Sequence, residues 1–152
     1  MFKKVPILIF FFLIFFVSFE DLYSKDEYFL TLRNEKVNLR QGPSFDYPVK
    51  ISYKKKFLPV LIQDSSDNFR KIRDHENNSG WVHISQLSKK KAAIVIEEEL
   101  TLFGKSTIFS NPVALLKQGR LVKINKCKIE WCKVKTGKYK GWVSKNGLWG
   151  LL

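Results

Sequence analysis

One unit of about 60 residues is written twice in this chain, and that repeat limits the available folds more than any other feature. Laying Val37 onward over Leu100 onward matches Asn38-Leu39-Arg40-Gln41 to Thr101-Leu102-Phe103-Gly104, and Pro48-Val49 to Pro112-Val113. It also matches Phe69-Arg70-Lys71-Ile72 to Trp131-Cys132-Lys133-Val134, and Gly80-Trp81-Val82 to Gly141-Trp142-Val143. The offset stays between 61 and 64, which gives copy one at 28–87 and copy two at 92–152, joined by a basic linker at 88–91. A unit this small buries only about 60% of the surface its unfolded chain exposes, so docking of the two copies is expected to add stability.

Both copies read as all-β. Short runs rich in Val, Ile, Phe and Trp alternate with polar residues and are separated by Gly, Pro, Asn and Asp clusters: FLTLR, VNLR, FLPVLIQ, FRKIR and GWVHI, then AAIVI, LTLF, RLVKIN, CKVK and GWVS. No window shows an apolar period of 3.6. VALLKQGRLVKI resembles a helix most, but Pro112 precedes it and Gly119 interrupts it, so a strand, a tight turn and a strand are expected there.

Seven of the 13 Phe fall in the first 19 residues, which belong to a different kind of segment. Lys3 and Lys4 precede an uncharged apolar run from Val5 to Val17, followed by a short polar exit. Those are the parts of a secretory signal peptide at 1–24, too short for an ordinary membrane span of about 20 residues; an uncleaved anchor is the alternative. Removing it takes away Lys3, Lys4, Glu20 and Asp21, so the net charge of +13 stays with the exported part. In the cytoplasm such a charge would point to nucleic acid. For an exported protein the partners expected instead are the anionic polymers of the cell envelope, with no nucleic acid and with membrane contact only through a retained leader.

In copy one, Asn38-Leu39-Arg40-Gln41-Gly42-Pro43-Ser44, then Phe69-Arg70-Lys71-Ile72, then Gly80-Trp81-Val82 resemble the bacterial Src-homology-3-like domain family. The resemblance covers nearly all of both copies. Copy two departs from it: Phe103 stands where the Arg is expected and Gly104-Lys105-Ser106-Thr107 blurs the Gly-Pro-Ser turn, so copy two cannot repeat the role of Arg40 with the same residue. The resemblance implies two tandem five-to-seven-stranded barrels that bind peptidoglycan or peptide segments and are not enzymes.

On period-2 alternation, Phe69 shares a strand face with Lys71 and Arg73, and Trp131 with Lys133 and Lys135. An aromatic platform beside cations suits a sugar or peptide bearing carboxylates; the other reading has the aromatic covering the barrel end and the lysines merely solvated. Arg40 is a candidate carboxylate ligand or, alternatively, a tie for its own loop. Trp81 and Trp142 are candidates for ligand contact or for the core. Tyr47 and Tyr53 are placed on a long Pro-containing loop and complete the candidate binding residues.

Cys127 and Cys132 flank a hairpin turn and, in an oxidising compartment, are expected to form a disulfide. Counting alternation from Val122 and Ile124 puts Cys127 outward, while counting from Val134 puts Cys132 inward, so the bridge demands a bulge. No close second pair of Cys or His supports a zinc site, and no cofactor is expected. Catalytic arrangements are missing as well. His75 and His83 show no shared carboxylate, Glu97-Glu98-Glu99 reads as a solvated acidic turn, and the glycine a phosphate loop would need before Gly104-Lys105-Ser106 falls at Glu99.

Charge is uneven: residues 25–88 hold 11 basic and 8 acidic groups, Lys89-Lys90-Lys91 follow, and residues 92–152 hold 11 basic against 4 acidic. Copy two and the linker are the electropositive part, with Lys123, Lys126, Lys133, Lys135, Lys138 and Lys140 as contacts for an anionic surface. The sequence therefore indicates an exported, non-catalytic binding module of the periplasm or cell envelope. Peptidoglycan is the first-choice ligand, and a periplasmic adaptor gripping an extended peptide is the alternative. The oligomeric state is not encoded in any of these features.

Overall fold

The computed structural model describes residues 26–151. The signal segment expected at 1–24 lies outside them.

Copy one runs β1 (Tyr28–Leu32), β2 (Val37–Arg40), β3 (Val49–Tyr53), β4 (Pro59–Ser66), β5 (Phe69–Arg73), β6 (Ser79–His83), a 3-10 turn (Ile84–Gln86) and β7 (Leu87–Ser88). Copy two runs β8 (Ala92–Val95), β9 (Glu99–Phe103), β10 (Pro112–Lys117), β11 (Leu121–Cys127), β12 (Trp131–Thr136), β13 (Tyr139–Ser144), a 3-10 turn (Lys145–Gly147) and β14 (Leu148–Trp149). Each copy is one seven-stranded sheet, ordered β3-β2-β6-β5-β4-β1-β7 and β10-β9-β13-β12-β11-β8-β14. Position for position these are the same topology, and all the pairings are antiparallel.

The repeated Gly-Trp-Val has a steric cause. The strands β2 and β6 meet only at Arg40 and Trp81, as β9 and β13 meet only at Phe103 and Trp142. A Cβ on Gly80 would lie 2.6 Å from the Arg40 carbonyl oxygen, and one on Gly141 2.5 Å from that of Phe103. Only glycine lets the two backbones close there. The Val that follows enters the core in both copies.

Short turns set the hairpin registers. In β12–β13, Thr136 pairs with Tyr139 across Gly137-Lys138, with Gly137 at φ +55, the first-position glycine of a two-residue hairpin loop. The helix-like stretch around Gly119 is two strands and a turn, as its Pro and Gly imply.

Strand β8 decides how the copies relate. Ala93 and Val95 enter the core of copy two, whereas Ile94, pointing the other way, belongs to the core of copy one beside Leu32, Val60 and Ile62. Its register neighbours Leu121 and Trp149 face the same way: Leu121 packs on that core and Trp149 meets Phe29 edge-on at 4.8 Å. The unbroken apolar run Ala92-Ala93-Ile94-Val95 is what a strand buried on both faces requires. The linker is pinned as well, since Thr31 Oγ1 donates to the Lys90 carbonyl at 2.8 Å and Ile124 N to that of Lys91 at 3.0 Å.

Candidate functional site

In copy one the β2–β3 loop folds back over β5 and β6, where Phe45 meets Phe69 and His83. Arg40 holds it there, its guanidinium donating to the carbonyls of Phe45 at 3.0 Å and Tyr47 at 2.8 Å. Arg40 therefore ties its own loop, which accounts for its place before Gly-Pro-Ser. Phe45, 60% exposed, lies against the rings of Phe69 at 5.2 Å and His83 at 5.1 Å. Phe69 is buried beneath it and offers no free face, so the exposed aromatic here is Phe45, which spacing along β5 does not reveal. Tyr47 is exposed, with its ring laid on Gly42. Lys71 is exposed and pairs in register with Trp81, which is half-buried.

Tyr53 is not on the loop. It ends β3, packs on the core and donates its hydroxyl to Asp74 at 2.8 Å. Asp74 is buried and also accepts from the backbone of Glu76 and Asn78 and from the Asn78 amide. Burial first, then the Asp74 hydrogen bond and charge, push the Tyr53 hydroxyl well above the ordinary phenol range. This residue is a structural strut; the loop ends earlier than the Pro-rich spacing suggests.

Copy two presents a different face. In register, Lys123, Lys135 and Lys140 form one row across β11–β12–β13, and Lys126, Lys133 and Trp142 form the next. Like charges directly opposite one another cost stability, so such rows call for an anion as partner. None of these lysines has an ion pair among the described residues. Trp142 is only 8% exposed, with the ammonium groups of Lys128, Lys126 and Lys133 at 4.9, 5.8 and 5.9 Å from its ring. It is a floor beneath the cations rather than a stacking platform. Trp131 is half-buried, edge-on to Phe103 at 5.8 Å. Phe103 thus holds the strand position of Arg40, paired with Trp142 as Arg40 is with Trp81, but packs on Trp131 instead of tying a loop. Lys123 also reaches copy one, its ammonium 4.6 Å from the Phe57 ring.

The disulfide Cys127–Cys132 closes the β11–β12 hairpin, with Cα atoms 4.0 Å apart. The register slips between Ile124 and Lys126, the bulge that the opposed alternation of the two cysteines demands. Lys126 and Lys128 flank Cys127, so the bridge holds the hairpin that carries them.

Among the described residues no group of His, Cys, Asp and Glu is arranged to hold a metal ion. Glu99 of the acidic turn pairs with Lys117.

The bacterial SH3 domain family model matches residues 33–89 and again 110–150. This chain belongs to the bacterial SH3 domain family. Its two SH3 domains correspond to the two sheets, all-β and in tandem. No curated protein matches the chain. Among solved structures it is similar to NlpC2 from Trichomonas vaginalis, at 12% identity and a TM-score of 0.37 over 84% of this chain and 49% of that one. NlpC1 from the same organism gives 12% and 0.37 over 82% and 46%. The chain spans about half the length of these two proteins, and at that overlap neither informs its function.

Proposed function

We propose that this protein is an exported, non-catalytic module that binds an anionic polymer of the cell envelope, peptidoglycan first among them. The observation that carries this reading is the pair of lysine rows on β11–β12–β13, without ion pairs among the described residues, of which Lys126 and Lys133 lie with Lys128 over Trp142. Membership of a family whose resemblance implies wall binding supports it. The stem peptides of the wall supply carboxylates to the lysines. Its sugar rings suit the exposed aromatics, Phe45 and Tyr47 in copy one and the half-exposed Trp131 in copy two. Export through residues 1–24 and a place in the periplasm or outer envelope are part of the same proposal, as are the boundaries 28–87 and 92–152.

Isolated sacculi mixed with the protein across a salt series test this. Binding carried by several exposed lysines falls as salt shortens the screening length to about 8 Å at physiological strength. The protein is expected in the pellet at low salt and in the supernatant at high salt. Lys126→Glu with Lys133→Glu and Lys135→Glu lowers pelleting at least about tenfold, and Trp131→Ala lowers it less. Absence from the pellet at every salt concentration overturns the reading, and capture of a specific envelope protein instead would return the peptide-adaptor alternative.

A further inference from the structure

Next to the lysine face, copy two exposes three large apolar side chains, each more exposed than Phe45 on the equivalent loop of copy one. Phe109 is 92% exposed and Ile108 67%, both on the β9–β10 loop, and Ile129 is 86% exposed on the β11–β12 hairpin. Chance exposure of single apolar residues is ordinary; three on two linked loops is not. The two loops are joined by Lys128, whose ammonium donates to Ser106 Oγ at 3.2 Å.

The β9–β10 loop is also built to stay out. Gly104 N donates to the Asn111 carbonyl at 3.1 Å, Lys105 N to Ser110 Oγ at 2.9 Å and Ser110 N to the Thr107 carbonyl at 3.2 Å. In copy one the equivalent loop turns its phenyl ring inward, where Phe45 meets Phe69, His83 and the Arg40 guanidinium. Phe109 has no ring contact among the described residues; Phe103 and Trp131 pair with each other, and Phe103 stands at the position where Arg40 ties the loop of copy one.

Convex apolar tips of this kind do not form a groove for an extended peptide; they suit a medium that deforms around them. Lys105 lies in the same loop, Lys128 in the hairpin and Lys126 and Lys133 just behind, against one acid, Glu130. Bulky apolar side chains at the headgroup boundary with lysines around them are the makings of interfacial binding to anionic lipid.

We propose that Ile108, Phe109 and Ile129 insert into the surface of an anionic lipid bilayer, with Lys105, Lys126, Lys128 and Lys133 against the lipid phosphates. This contact is separate from any membrane attachment through residues 1–24. It places copy two between membrane and wall, with the apolar tips serving the lipid and the lysine rows available to both.

The test uses the chain beginning at Lys25, sedimented with phosphatidylcholine vesicles with and without phosphatidylglycerol. The protein is expected to pellet with the anionic vesicles only and to be released by salt. Phe109→Ser with Ile129→Ser keeps every lysine and is expected to lower vesicle binding at least about tenfold, because two apolar side chains no longer leave water. An unchanged strand circular dichroism spectrum and unchanged pelleting with sacculi show that the variant is folded and that wall binding is a separate property. Wild-type protein that ignores anionic vesicles, or a variant that binds them as well as wild type, overturns the proposal. In the first case a protein partner would be the remaining occupant of the tips.

Discussion

Replacing Ile94 with Ala should destabilise both copies together, although the residue belongs to only one of them. Ile94 lies on β8 of the second sheet, is fully buried, and fills the core of the first beside Leu32, Val60 and Ile62. Truncation removes three carbons, about 0.8 kcal/mol each by transfer, and leaves a cavity lined by two domains that cannot both collapse into it. The expected loss is about 3–4 kcal/mol, a large share of the 5–15 kcal/mol typical of a folded protein. For a cooperative unit of this size that corresponds to a melting temperature lower by about 10–15 °C. Ile96→Ala, two residues along at an exposed position, is the control and should cost about 0.5 kcal/mol or less. Differential scanning calorimetry checks both points, since docked copies should unfold in a single transition. Two transitions in the wild type, of which Ile94→Ala moves only one, would refute the docking argument, as would equal losses for Ile94→Ala and Ile96→Ala.

Tyr53→Phe removes the hydroxyl from Asp74 and should cost about 1.5 kcal/mol at pH 8, at the low end for a hydrogen bond to a carboxylate because three other donors remain on Asp74. The folded protein raises the phenol pKa, so the wild-type advantage is complete below the ordinary value near 10 and shrinks as pH climbs past it. Urea unfolding of both proteins at pH 8 and pH 11 should show the gap narrowing; an equal gap at both would sink this reading. Reducing Cys127–Cys132 should lower stability by about 2 kcal/mol, the loop-closure value for so short a ring, read as an earlier urea midpoint. A midpoint unmoved by reductant would count against it.

The legible part of this chain was its periodicity. Alternation and turn residues located the strands, and the repeated Gly-Trp-Val marked the crossing where Gly80 and Gly141 meet a backbone carbonyl. The opposed alternation around Cys127 and Cys132 even announced the bulge in β11. The candidate site was less legible, because alternation assigns a face but not a cover. Phe69 does lie on the face that period-2 counting gives it, yet Phe45 closes it off, and Trp142, a candidate for ligand contact or core, is covered by three lysines. Tyr53 was misplaced because the loop after Pro48 is shorter than its composition implies, and β3 takes up the chain at Val49.

By itself, then, the sequence determined the class, the duplication, the disulfide and the uneven charge, all of which depend on residue identity and short spacing. Tertiary structure alone decided which lysines stand opposite one another, which aromatics keep a free surface, and that β8 belongs to two cores. Those outcomes depend on contacts between residues far apart in the chain, such as Ile94 with Val60 or Phe45 with His83, and local pattern carries no record of such contacts.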